Sequence, residues 1–365
     1  LEFPDSYSYA GQTKYAKDTL AWGADYLMAS HIGPNKLVGQ VGDPGIDHAY
    51  WGSAEAQTGP RPSYVWDATK PASDLAAATS AALTATSLVF KDSDPAYAAK
   101  LLQHGKELFT FASTYLGKYS DQYASATYVY RSFGYLDDLA WAASWLCKAT
   151  GENSYCNKAI QYRADSSFGP NSFVNWDSVG IPSALLLKSM GKAPQEALDH
   201  IDRFYADWQK NFPKTPGGLA IAPLGGWGNN RHSGNAALAS LVAAKYETNA
   251  TKKANAICFA KSQLDYFLGL SGGRSFVVGF GQNPPTQPHH RGSSCPNKPA
   301  PCGWDAFNAA TPNPQILYGA LVGGPKGPGD EYQDLRSLYV ENEVAFDYNA
   351  GYTGALAGII HFLKS

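Results

Sequence analysis

The sequence predicts an all-α protein, on three observations. Apolar residues recur at helical spacing in about ten stretches, Gly or Pro stop signals follow several of them, and strand-like runs are few. In chain order the stretches are 12–29, 73–89, 97–116, 136–150, 154–162, 181–190, 193–212, 233–248, 252–268 and 350–363. Gly33-Pro34 follows the first, Gly117 the third, Gly151 the fourth, Gly191 the sixth and Pro213 the seventh. Glycine accepts the left-handed turn that ends a helix, and proline cannot continue one. Three long Gly/Pro/aromatic segments, 38–70, 214–231 and 269–335, read as loops. Loops of this length inside a compact domain usually carry function. Antiparallel helix pairs can build a bundle, a solenoid or a closed double ring. The lack of a short fixed-length repeat argues against a solenoid, and periodicity decides no further.

A chain of 365 residues, 44% hydrophobic and 16% charged, can bury one large core, so residues 1–365 are read as a single domain. The formal net charge of −2 supplies no field for nucleic acid or anionic lipid. The longest apolar runs, 181–187 and 355–363, are too short or too interrupted to cross a bilayer. The aromatic load is high, with 9 Trp, 23 Tyr and 16 Phe, many beside Gly, Pro or Asn. Sugar rings stack on such faces through their apolar C–H surfaces, although large cores also consume aromatics. Of five cysteines, Cys295 and Cys302 bracket a Pro-rich loop and Cys147 and Cys156 flank a helix connection, so each pair could close a local disulfide. Cys258, in an apolar helix, reads as a buried free thiol. The sequon Asn249-Ala250-Thr251 fits a secreted protein. The chain opens on Leu1-Glu2-Phe3-Pro4 with neither Met nor a leader, which reads as a processed or incomplete terminus.

Segment 332–350 places Asp334, Glu341, Glu343 and Asp347 among Tyr332, Tyr339 and Tyr348, just before the last helix. Glu343, beside Asn342 and ahead of Val344-Ala345, is a candidate for a partly desolvated carboxyl of raised pKa, as a general acid requires. An acidic helix start complementing the dipole is the plainer alternative. A second cluster, 275–291, holds Gly279, Gly281, Asn283, His289, His290 and Arg291. Gly269-Leu270-Ser271-Gly272-Gly273 spells a serine-hydrolase elbow, but it follows a helix and precedes a short apolar run, the reverse of the required context. Gly279-Phe280-Gly281 lacks the third glycine of a dinucleotide fingerprint and reads as a tight turn.

Together the two clusters resemble the paired signatures of family 9 glycoside hydrolases, the endoglucanase and cellulase family. The resemblance continues through Gln40, Asp43, Asp47, Trp51, Gly134-Tyr135, Asp137-Asp138, Trp176-Asp177, Pro216-Gly217-Gly218 and Trp227 to Arg231, covering essentially the whole chain. It implies an (α/α)6 barrel and inverting hydrolysis of β-1,4-glucan or cello-oligosaccharides, without an organic cofactor. In that chemistry one carboxylic acid protonates the leaving oxygen and a second carboxylate activates water. By motif position Glu343 is the acid, with Asp334 and His289 in supporting catalytic roles. The substrate-binding set it implies is Trp227, Arg231, Arg291, Tyr348, Trp51 and Tyr135, and His232 stands where the family often has Tyr. Asp137, Asp138 and Asp177 resemble a structural calcium site, with the hard oxygen ligands calcium takes. The family's base comes from an Asp-Ala-Gly-Asp tetrad, which does not occur here. With about ten helices where six hairpins need twelve, the barrel is expected to miss its first two, and a companion polypeptide to supply them or the sequence to be incomplete. A glucan-binding or structural protein that has lost its base is the rival reading.

Overall fold

The computed structural model describes residues 1–364. Among them, ten helices of ten or more residues form: Thr13–Ser30, Ser73–Phe90, Pro95–Thr114, Leu136–Thr150, Asn153–Arg163, Gly180–Ser189, Gln195–Ala206, Asn229–Lys245, Ala250–Phe267 and Phe346–Lys364. Local chemistry fixes several ends. Asp94 accepts from the Tyr97 N–H with Pro95 in the first turn, and Asn249 accepts from the N–H groups of Thr251 and Lys252. Gly151 ends Leu136–Thr150 at φ 73°. The helix expected over 193–212 gives way at Asp207 to a π turn, Asp207–Asn211, with Trp208 buried.

Segment 38–70 is not simply a loop. Strands β1 (His31–Gly33), β2 (Lys36–Val41) and β3 (Ser63–Asp67) form an antiparallel sheet in the order β1-β2-β3, its register shifting between Val38 and Gln40. That shift hides the alternation by which a strand is read from sequence.

The chain divides into two compact units. The first comprises Leu1–Asp47 and Pro60–Asp202, the second His48–Gly59 and Arg203–Ser365. In the first, the Ala- and Ser-rich helix Ser73–Phe90 packs on Pro95–Thr114 and on Leu136–Thr150, and Leu83, Leu101, Leu108, Phe111, Leu139 and Leu146 are fully buried. In the second, Asn229–Lys245 packs on Ala250–Phe267 and Phe346–Lys364. Gly351 makes the last contact close: a Cβ there would lie 2.6 Å from the Asn235 backbone nitrogen. The disulfides Cys147–Cys156 and Cys295–Cys302 are formed. Cys258 is exposed rather than buried, because it lies on the solvent side of a helix whose packed face carries Phe259, Ala260 and Phe267. No helix among the described residues is long and apolar enough to cross a membrane.

Candidate active site

The site is built within the second unit from four segments, around Trp51, Trp227, His289 and Glu343. The short helix Tyr339–Asn342 ends at Glu343, whose backbone is extended (φ −63°, ψ 146°) and lies in a parallel bridge with His289. The Gly323 N–H donates to the Glu343 carbonyl and the His289 N–H donates to the Asn342 carbonyl. Asn342 is fully buried, and its amide donates to the carbonyls of Gln333 and Leu338 while accepting from the Tyr332 hydroxyl. The two signature segments are thus joined through backbone bonds, and an apolar shape mimic at position 342 would orphan several groups at once.

Two hydrogen bonds hold the Glu343 side chain, both at Oε2. Trp227 Nε1–H donates at 2.9 Å and the Tyr348 hydroxyl at 3.1 Å. Trp227 is 44% exposed and packs on Tyr339, which packs on His289, which packs on the buried Trp51. Trp51 continues the row to Phe307 and Trp304 and anchors itself through Nε1–H to Ser294 Oγ at 2.9 Å.

His289 Nδ1 lies 2.8 Å from the Arg336 carbonyl, an acceptor that assigns the proton to Nδ1. Burial lowers the pKa of this ring, so the neutral imidazole is favoured. Asp334 braces the turn leading to His289: Oδ2 accepts from the Thr286 N–H and hydroxyl, both at 2.7 Å, and Oδ1 from the Gln287 N–H at 3.0 Å. Sequence reading missed Arg336, which is 2% exposed and donates to the carbonyls of Ala306, Phe307, Ala309 and Thr311 and to Asn313 Oδ1.

Several expected substrate contacts have other partners. Tyr348 is 1% exposed, so its ring offers no face for a glucosyl unit, and its raised pKa, set first by burial, keeps the hydroxyl a donor. Arg231 pairs with Asp347 at 3.0 Å and lies over the Tyr348 ring. Arg291 donates to the Tyr50 carbonyl at 3.2 Å. Trp51 supports the site from beneath, while Trp227 keeps an open face. His232 is buried, and desolvation beside Arg231 lowers its pKa to about 3.

Tyr135, Asp137, Asp138 and Asp177 belong to the first unit. Tyr135 precedes the Leu136–Thr150 helix and packs on the hydrophobic core. Asp137 Oδ2 accepts from the Val179 N–H at 2.9 Å and Asp177 Oδ1 from the Phe133 N–H at 3.1 Å. Burial, then repulsion from Asp137, Asp74 and Asp177, raises the pKa of Asp138 well above the usual value, and Asp177 is raised to about 6, again first by burial. Yet among the described residues no three acidic, His or Cys side chains form a group that could hold a metal ion.

These raised values carry a sign. The unfolded carboxyls ionise near pH 4 while the folded ones resist, so their contribution is fully present below that pH. It is lost as pH rises through the folded values, which for Asp177 means about 6. Asp138→Asn is therefore expected to stabilise at pH 7, by roughly 1 kcal/mol or more, and to change little at pH 4. Thermal unfolding in EDTA at both pH values checks this, and equal shifts at the two would rule out ionisation as the cause. Repeating it with millimolar calcium shows whether a cation relieves the same charge: the parent would then gain and Asp138→Asn would not.

A row of aromatic side chains, buried at Trp51 and part-exposed at Trp227, thus ends at a glutamate held by two donors, an arrangement in which a carboxyl and a stacked sugar ring can meet. The family model described as glycosyl hydrolase family 9 matches residues 1–356. Endoglucanase B of Cellulomonas fimi is 42% identical over 99% of this chain, which spans 35% of that protein. The chain covers between 35% and 57% of the length of four such relatives. Among solved structures, the endoglucanase of the termite Nasutitermes takasagoensis superposes with a TM-score of 0.93 at 44% identity, covering 99% of this chain and 82% of that one. The cellulase Cel9M of C. cellulolyticum in complex with cellobiose superposes at 0.89 with 35% identity, covering 99% and 81%. The chain belongs to glycosyl hydrolase family 9.

Proposed function

We propose that the chain is the catalytic part of an endo-β-1,4-glucanase, a single (α/α)6-barrel domain acting on cello-oligosaccharides and β-1,4-glucan with inversion. The observation that carries this is Glu343: its Oε2 is hydrogen-bonded by Trp227 and Tyr348, at the end of an aromatic row. The endoglucanases to which the chain is similar, one related cellulase solved with cellobiose, support the substrate class. Glu343 protonates the leaving glycosidic oxygen. The open face of Trp227 takes the apolar face of a glucosyl ring. His289, with Nδ1–H given to the Arg336 carbonyl, keeps Nε2 as an acceptor for a sugar hydroxyl.

Asp43 and Asp47, in the upstream segment that carries the resemblance, have other work. Asp43 accepts from the Gly45 N–H at 2.8 Å and the Tyr64 hydroxyl at 3.1 Å, and Asp47 pairs with Arg61 at 2.7 Å. The family's Asp-Ala-Gly-Asp tetrad does not occur in residues 1–365, and we assign the water-activating carboxylate to polypeptide outside them, whether continuous with this chain or a companion. The exposed Tyr15 and Tyr26 on the Thr13–Ser30 helix support a packing partner there. The reading includes secretion, consistent with two disulfides and the sequon.

The test is stereochemical. In an enzyme containing this chain, hydrolysis of a β-linked cello-oligosaccharide is expected to release the α-anomer first, read by proton NMR before mutarotation. On a soluble cellulose derivative, viscosity is expected to fall well ahead of reducing-sugar release. Initial β-anomer would overturn inversion, and tight oligosaccharide binding without turnover would favour the non-catalytic reading.

A further inference from the structure

Two donors converge on one oxygen of Glu343, and their chemistry is unequal. The indole N–H of Trp227 can only donate, so the lone pair it meets on Oε2 cannot also carry a proton toward it. The Tyr348 hydroxyl could in principle accept, but its surroundings orient it as a donor. Its ring is buried, the Arg231 guanidinium lies 4.8 Å from the ring centroid, and Arg231 is itself held by Asp347. A cation over the ring draws electron density from the phenol and strengthens its O–H as a donor.

The chain makes room for this contact. Gly228, directly after Trp227, has φ +66°, and a Cβ there would lie 2.7 Å from the Tyr348 hydroxyl oxygen. Any side chain at 228 would thus be strained and would also crowd the oxygen reaching Glu343. Trp227, Gly228 and Arg231 come from the start of one helix segment and Asp347 and Tyr348 from the start of another, so both helix starts meet at this carboxyl.

We infer that Trp227 and Tyr348 are positioning residues for the acid, confining the transferable proton of Glu343 to Oε1 by both donating to Oε2. The assignment rests on the reading of Glu343 as general acid. With both donors in place, rotation of the carboxyl by half a turn would exchange the protonated and unprotonated oxygens and set a proton against the indole N–H. The acid is therefore locked in one of its two orientations, with Oε1 as the only oxygen that can deliver. Trp227 then serves twice, through its N–H to the acid and through its open face to substrate.

The test compares two substrates in an enzyme containing this chain: an unactivated cello-oligosaccharide, whose leaving oxygen needs the proton, and an aryl cello-oligosaccharide with an acidic leaving group, which needs it less. Tyr348→Phe is expected to lower kcat on the first by about tenfold with KM little changed, and on the second by much less. Trp227→Phe is expected to show the same contrast in kcat and to alter KM as well. Both substitutions keep an aromatic ring, and circular dichroism identifies any that fail to fold; Arg231→Gln, which removes the cation over the Tyr348 ring, then gives the same contrast with a smaller loss. Equal losses on the two substrates, or no loss on either, in both single variants would overturn the inference. Failure of the underlying reading looks different: Glu343→Gln would then retain full turnover on both substrates.

Discussion

Glu343→Gln is expected to lower turnover of unactivated cello-oligosaccharides by about 10²- to 10⁴-fold, the usual worth of general-acid assistance, while leaving oligosaccharide binding nearly intact. The amide preserves the shape of the carboxyl, and its oxygen can still accept from Trp227 and Tyr348. What it lacks is the proton for the leaving oxygen. The measurement is kcat and KM on a cello-oligosaccharide of defined length, with calorimetry for binding, in an enzyme containing this chain. A substrate with an acidic aryl leaving group needs less protonation, so its loss is expected to be smaller. Unchanged turnover of the unactivated substrate would remove Glu343 from the chemistry.

The helices were legible because their signals are local. A repeat of apolar residues every three to four positions, with Asp94-Pro95, Asn249 and Gly151 at the ends, needs no knowledge of the rest of the chain. The sheet was not, because Gly39 and Gln40 break the alternation of β2 where its register with β3 shifts. The same division holds at the site. Glu343 and His289 stand out as a carboxyl and an imidazole in dense motifs, and the isolated backbone bridge between their segments brings them together. Whether Tyr348 faces substrate or supports the acid depends on Arg231 and Gly228, more than a hundred residues away in sequence. An aromatic residue beside an acid carries no mark that distinguishes the two. Cys258 shows the same limit, since an apolar neighbourhood in sequence does not say which side of the helix meets solvent.

Arg336 illustrates the limit most fully, and it carries the largest stability effect expected of a single substitution. Its acceptors are mostly backbone carbonyls, which have no sequence signature. Its side chain takes up the carbonyls of Ala306, Phe307, Ala309 and Thr311 and the Asn313 amide oxygen, at 2.5 to 3.2 Å, and so ties segment 306–313 into one compact loop. That loop supplies Phe307 to the aromatic row beneath His289, and the Arg336 carbonyl itself receives the His289 Nδ1–H. Burial lowers the pKa of the guanidinium, so the charge is held against desolvation by these dipoles. Arg336→Met fills much of the volume but leaves the carbonyls without their donor. Unsatisfied buried groups of this kind cost about 1–3 kcal/mol each, and partial relaxation of the loop to water brings the expected total to about 3–5 kcal/mol. The expected result is a fall in thermal midpoint of roughly 10 °C, with loss of the ordered environment of Trp51 and Trp304 in near-ultraviolet circular dichroism. Arg336→Lys, able to serve one or two carbonyls from a single ammonium, is expected to recover only part of that loss. A variant carrying Met at this position that unfolds within about 2 °C of the parent would show that water replaces the guanidinium freely, and that the loop is held by its aromatic contacts instead.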